Sequence, residues 1–380
     1  MNVAAGLVPE APAEAAPIPE AVPAGEAPGA HHAHQQNALL PAQHEVELAP
    51  PVFGTCYVQT MALTDVNEPG ATPRRCEILV APESELTLLL ARPLRGAIYG
   101  TVWYALQVAL EGGGVFRRLL NERGRLREFA VKRMRRDAIE ERPPGGGESP
   151  MQEIAVLSMM RNPGHPNVLQ MVDALADETS IFLVTPFIDG GEMFDWVKDA
   201  ASPAREAVVR PLFRQVVEGM QYIHSRGICH HDMSLENMLI DRELRNTFVI
   251  DFGMALAMPT NIAGQRMMSR DDGRTMKPSY RPREVFRQQD YDGVKVDVFA
   301  AGAMLFMMLT GCPPFACATR NDRDYKLVVY RGFVRTFLER NGLPMLSDEA
   351  ISLINKTLAH DPEERLLPAQ ILEHPWFSIP

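Results

Sequence analysis

One stretch of this chain restricts its possible folds more than any other. It reads His230-His231-Asp232-Met233-Ser234-Leu235-Glu236-Asn237, continues through an apolar run, and reaches Asp251-Phe252-Gly253. Met238-Leu239-Ile240 and Phe248-Val249-Ile250 read as strands by their apolar and β-branched content, and the second delivers Asp251. Two carboxylates and a carboxamide therefore sit at the ends of short buried elements. The length of 380 residues would allow two or three units of about 100–200 residues. The formal charge of −10, with no long basic run, argues against nucleic acid as a partner. Five cysteines without metal-ligand spacing fit reduced thiols and a cytoplasmic setting, with the nucleus left open. The longest apolar stretch, Val298 to Leu309, is well short of the roughly 20 residues of a membrane span, so it reads as a buried core helix and no membrane is expected.

The central stretch resembles the catalytic loop and metal-binding motif of the eukaryotic protein kinases, in which H-R-D-L-x-x-x-N precedes D-F-G. The resemblance implies that Asp232 accepts the hydroxyl proton in phosphoryl transfer, while Asn237 and Asp251 supply hard oxygen ligands for Mg²⁺ on the phosphates of ATP. It implies an α+β, bilobal fold over residues 86–377, with a small β-rich lobe at about 86–185 and a helical lobe at about 189–377. Before it, residues 1–51 are rich in Ala, Pro and Glu, too poor in large apolar groups to offset ordering entropy, and are expected to be disordered. His31, His32 and His34 lie within that segment without a scaffold. Residues 52–85 form an amino-terminal extension of unreadable role, with Cys76 to Val80 as a strand.

Other motifs follow in the family's order. Leu86 to Gln107 resembles two strands joined by a glycine-rich loop, with Arg95 and Ala97 in place of the first two glycines and Tyr99, Gly100 and Val102 fitting the remainder. A long connection to Phe129 looks like an insertion in a hairpin. Ala130-Val131-Lys132 resembles the strand whose Lys holds the α- and β-phosphates and pairs with a Glu on the next helix. That helix starts at a Ser149 cap with Pro150 in its first position and Gln152 three residues on, which places Glu153 as the partner. Thr185, Pro186 and Ile188 resemble gatekeeper and hinge, where Pro186 still offers the C=O that adenine takes and Ile188 the N–H. By resemblance Ala130, Val102 and Leu239 sandwich adenine, and Leu157, Met171, His230 and Phe252 form an internal column.

Met254 to Met276 reads as an activation loop with Thr260, Ser269 and Thr275 as acceptors. His231 stands where the family's Arg anchors a phosphorylated loop residue, so activity is expected to depend little on such phosphorylation. Ser279 to Glu284 resembles the closing motif, with Arg365 pairing with Glu284, and His374-Pro375-Trp376-Phe377 resembles the domain's end. The wording is closest to calmodulin-dependent and AMP-activated types of Ser/Thr kinase, although no basic amphipathic, calmodulin-binding tail follows. Glu192 and Glu236 match acidic positions that contact basic residues ahead of the acceptor in protein substrates. Counting offsets puts Ser234 where the family has Lys and Lys277 where it has Thr, an exchange of two groups that both serve Asp232. The worn glycine loop, His231 and the two substitutions in the closing motif leave a second reading open, a pseudokinase acting as a nucleotide-binding or scaffolding module. Lys132, Glu153, Asp232, Asn237 and Asp251 together favour the enzyme.

Overall fold

The structure is a computed structural model that describes residues 48–68, 70–141, 147–199, 206–260, 265–269 and 276–379. The segment up to residue 47, with its three histidines, and Thr275 lie outside them. The amino-terminal lobe is a sheet of β1 (Gly54–Thr55), β2 (Tyr57–Asp65), β3 (Arg74–Ala81), β4 (Leu86–Ala97), β5 (Gly100–Glu111), β6 (Val115–Arg118), β7 (Glu128–Arg135), β8 (Asp173–Ala176) and β9 (Ser180–Pro186). The spatial order is β1-β8-β9-β7-β5-β4-β3-β2-β6, and β6 also pairs with β5. β2 to β6 therefore close into a ring of five strands.

The ring explains why Leu88-Leu89-Leu90 lacks the alternation of a half-exposed strand, since a strand covered on both faces reads as a continuous apolar run. Leu88 and Leu90 pack with Val131, Phe182 and Val184 on one side of the sheet. Leu89 points the other way, into the ring, against Leu63, Ile78, Val108 and Phe116. The expected strand at 76–80 lies inside β3, and a second strand, β2, pairs with it antiparallel from Tyr57↔Val80 to Leu63↔Arg74. The extension before residue 86 is thus part of the lobe's sheet. The insertion after β5 is the hairpin to β6, turning at Gly112 to Gly114.

Helices α1 (Arg136–Glu140) and α2 (Pro150–Met160) lie between β7 and β8. Ser149 caps α2, its hydroxyl accepting from the Gln152 N–H at 3.3 Å, with Pro150 at the first position where its missing N–H costs nothing. The carboxy-terminal lobe contains α3 (Met193–Asp199), α4 (Glu206–Ser225), β10 (Ile228–Cys229), β11 (Met238–Ile240), β12 (Thr247–Val249), β13 (Leu256–Ala257), α5 (Arg283–Phe286) and α6 (Gly293–Thr310). After α6 come α7 (Arg323–Tyr325), a π-helical turn (Lys326–Tyr330), α8 (Val334–Arg340), α9 (Asp348–Thr357) and α10 (Pro368–Leu372). Every residue of α6 is buried, as expected of a helix apolar on all sides. Asp292 caps its start, and Gly311, at φ 77°, takes the left-handed conformation that ends it. Glu284 and Arg365 form a buried, two-pronged pair at 2.6 and 3.1 Å, tying the segment before α6 to the carboxy-terminal helices.

Candidate active site

Alternation along β7 sends Ala130 and Lys132 toward the cleft and Val131 into the sheet's opposite face. Lys132 pairs with Leu183 of β9 and Val102 of β5, and its ammonium meets Glu153 Oε2 of α2 at 2.7 Å. Burial opposes both charges. For Lys132 the carboxylates of Glu153 and Asp251 overcome it and hold the ammonium above its ordinary range. For Glu153 burial wins over the Lys132 charge and pushes the carboxyl up to about 7.

The cleft is a cavity of about 450 Å³. Val102, Ala130 and Leu239 line it, as do Thr185, Pro186 and Ile188 at its back edge, and Lys132, Glu153 and Asp251 at its inner end. Leu157, Met171, His230 and Phe252 are all buried in the main core, with the His230 and Phe252 rings 5.1 Å apart.

Two glycine-loop residues have different duties from those expected. Tyr99 is buried, joins the core under α2 and donates from its hydroxyl to the Glu148 C=O at 2.7 Å, so it supports the helix start and does not line the cavity. Gly100 is absent from the cavity wall too, and its want of a side chain has another cause, since a Cβ there would stand 2.0 Å from the Arg133 carbonyl oxygen of β7. Arg95, on β4, reaches across the mouth of the cleft and forms an ion pair with Glu192, which follows the hinge. Glu192 therefore already has a basic partner in its own chain.

The catalytic stretch is held by a buried carboxylate. Asp297, at the start of α6, accepts the His230 N–H at 2.8 Å and the His231 N–H at 2.9 Å, while its Oδ2 also meets His224 Nε2 at 2.8 Å. This supports His231 at φ 61°, a left-handed conformation that β-carbon-bearing residues seldom adopt and that Asp251 shares at φ 64°. The His231 ring stacks on Tyr291 at 5.3 Å, with Nε2 2.8 Å from the Tyr291 hydroxyl. Asp297 and Tyr291 were legible only weakly. An aspartate inside an apolar helix needs a partner, but sequence does not say which.

Asp232, Asn237, Ser234 and Lys277 converge. The Asn237 amide donates to Asp232 Oδ2 at 2.7 Å and to its backbone C=O at 2.8 Å. The Lys277 ammonium lies 2.8 Å from Ser234 Oγ, 3.5 Å from Asp232 Oδ2 and 4.0 Å from Glu236 Oε2. Burial raises the Asp232 carboxyl above its ordinary range despite the Lys277 charge, which makes it a better proton acceptor than a solvated aspartate. Asp251 goes the other way: burial alone would raise it, but the Lys132 ammonium and the Gly253 N–H hold it below the usual carboxylate range, so it stays charged.

A two-lobed fold with a lysine–glutamate pair and an aspartate lining its cleft, and a second carboxylate bonded to a carboxamide on the catalytic stretch, defines the protein kinase class. The family model described as protein kinase domain matches residues 111–377, and the chain belongs to that family. It is 34% identical over 248 residues to CBL-interacting serine/threonine-protein kinase 5 of Arabidopsis thaliana, covering 65% of this chain and 51% of that protein. Similarity to CBL-interacting protein kinase 17 of Oryza sativa subsp. japonica is 30% over 290 residues, 76% of this chain and 56% of that one. Against the probable serine/threonine-protein kinase HSL1 of Saccharomyces cerevisiae it is 34% over 226 residues, 59% and 14% respectively. The chain spans about half the length of the plant relatives it matches.

Proposed function

We propose that the chain transfers the γ-phosphoryl group of ATP, with Mg²⁺, to Ser or Thr hydroxyls of protein substrates. The observation that carries this reading is that the Lys132–Glu153 pair and Asp251 line one cleft, while Asn237, bonded to Asp232, is tied to the residue before Asp251 by its backbone C=O, which accepts the Ile250 N–H at 3.0 Å. The donor set fits the metal. Asn237 spends its amide nitrogen on Asp232, which leaves its carbonyl oxygen and the charged Asp251 carboxylate as the hard oxygen ligands Mg²⁺ takes. Bound there, the ion would neutralise phosphate charge. Lys132 then orients the phosphates, held in place by Glu153. Asp232, with Oδ2 engaged by Asn237 and Lys277, keeps Oδ1 for the incoming hydroxyl and its proton. Lys277 places a cation beside the transfer path. Relatives named as serine/threonine kinases support the acceptor class.

A radiolabelled-phosphate transfer assay comparing wild type with Asp232→Asn tests the proposal. Loss of the general base should cost about 10²–10⁴ in rate, and equal transfer by the two proteins would overturn it. Basic residues ahead of the acceptor are expected to be read by Glu192 and Glu236, each of which also meets a cation of its own chain, Arg95 and Lys277 respectively. A peptide array that shows no Arg or Lys preference would remove that refinement.

A further inference from the structure

The described residues contain a second concavity, on the carboxy-terminal lobe and separate from the cleft. It encloses about 320 Å³ and is lined by Arg320, Tyr325, Lys326, Tyr330, Arg331 and His360. Three of the six are cations, and none of the three has an ion-pair partner among the described residues. The whole chain carries a formal charge of −10, so a cluster of three cations departs from its average.

The cluster is built by the backbone. Residues five apart diverge around an α-helix, where neighbours are three and four apart. Here the turn widens to the π form, closed by the Arg331 N–H on the Lys326 C=O at 3.1 Å, and both cations face the same concavity. Such turns are rare and occur often at functional sites. The floor is set by hydrogen bonds. Arg283 can only donate, so His360 Nε2, 2.9 Å from its Nη1, accepts, and His360 Nδ1 carries the proton and donates to the Tyr325 hydroxyl at 2.9 Å. Burial, with Arg283, Arg365 and Arg320, holds this imidazole below its ordinary range against the pull of Glu284. Glu284 itself is bound in a two-pronged pair to Arg365. Tyr330 stands edge-on to the His360 ring at 5.1 Å yet remains 60% exposed, an aromatic wall facing solvent.

We propose that this concavity is a docking site for a phosphorylated side chain of a partner protein. A phosphate monoester carries about −1.5 to −2 charge and several acceptor oxygens, which matches two guanidinium forks and an ammonium better than a single carboxylate does. The volume holds one modified side chain with its immediate neighbours, and Tyr330 offers them an apolar face. Three cations confined to one small concavity match a short anionic segment better than an extended polyanion.

The test uses the full chain, with its nucleotide cleft saturated by a non-hydrolysable ATP analogue and Mg²⁺ so that phosphate binding there is blocked. Fluorescence anisotropy would compare a labelled Ala/Gly-rich peptide bearing one phosphoserine with its unphosphorylated twin. The phosphopeptide should bind at least about tenfold tighter, and Arg320→Glu with Arg331→Glu should weaken it by at least about tenfold. Both side chains are exposed, so melting temperature should stay unchanged, and Arg320→Ala alone should give a smaller loss in the same direction. Equal binding of the two peptides, or phosphopeptide binding that survives the double substitution, overturns the proposal. Displacement of the peptide by equimolar inorganic phosphate, or tighter binding of a single-stranded oligonucleotide, overturns it as well, since the site would then take a free anion or a polyanion.

Discussion

Removing the Lys277 ammonium would leave Ser234 Oγ and Asp232 Oδ2 without the donor now 2.8 and 3.5 Å away. A preorganised cation beside a transferring phosphoryl group acts on charge as it develops, and loss of one such donor typically costs about 10²–10³ in kcat. Lys277→Thr should show a loss of that order, and adding Ser234→Lys should recover much of it, because neighbours sharing one task are strongly coupled. A double-mutant cycle in kcat measures this, and a Lys277→Thr protein within a few-fold of wild type would remove Lys277 from the chemistry. Glu153 gives a second residue-scale expectation. Its folded value of about 7 lies above its ordinary 4.5, so the folded protein holds the proton more tightly and loses stability as pH rises between those values. Glu153→Gln has no carboxyl to deprotonate, and its melting temperature should fall less than that of wild type from pH 5 to pH 8; parallel curves would refute the assignment. The Ser234 and Lys277 pairing could be counted out from offsets in the sequence. The Arg95–Glu192 pair could not, because its two residues meet only when the lobes face each other across the cleft.

Among elements, α2 and the segment after Asp251 are joined directly. The helix start is fastened to the segment by two bonds and to the β4–β5 turn by a third. The Ser149 N–H donates to the Gly253 C=O at 2.8 Å, Gln152 Nε2 donates to the Ala255 C=O, and the Tyr99 hydroxyl holds Glu148 just ahead of the cap. His231, bonded to Tyr291 and stacked on it, is built into the lobe and lacks the guanidinium fork that would grip a phosphate. Phosphatase treatment is therefore expected to leave kcat within a few-fold. A drop of tenfold or more, about 1.4 kcal/mol, together with a phosphate mapped to Thr260, Ser269 or Thr275, would contradict this. α2 and α6 were readable beforehand because Ser149-Pro150 and an unbroken apolar run are local signals. The duties of Tyr99 and Gly100 were not, since both depend on what stands opposite them, the Glu148 carbonyl and the Arg133 carbonyl.

At the scale of the molecule, the ring of β2 to β6 shares β4 and β5 with the wall of the cleft. Cutting the chain at residue 86 would remove β2 and β3, strip the cover from Leu88, Leu89 and Leu90, and open the pairing edge of β4. Leu63, Ile78 and Leu79 alone each contribute about 1.5–3 kcal/mol of burial, a large part of the roughly 5–15 kcal/mol that stabilises a domain. A chain starting at residue 48 should stay soluble with a single cooperative melt, whereas one starting at 86 should aggregate or melt at least several degrees lower. Equal melting of both would show the ring to be an ornament. The two-lobed plan was legible because its motifs keep their order along the chain. The ring was not, because its closure depends on Thr64 and Asp65 finding Val115 and Phe116, far apart in sequence and individually unremarked.

The fastening of α2 to Gly253 and Ala255 also bears on pharmacology. A compound that occupies the space of Phe252 must first expel a fully buried ring and break those backbone bonds, so its association should be slow and gated by the protein's own opening. Compounds confined to the space beside Thr185 and Ile188 need no such opening. Stopped-flow association rates should separate the two groups, with the first saturating at high concentration and the second rising linearly, and Gln152→Ala should speed only the first.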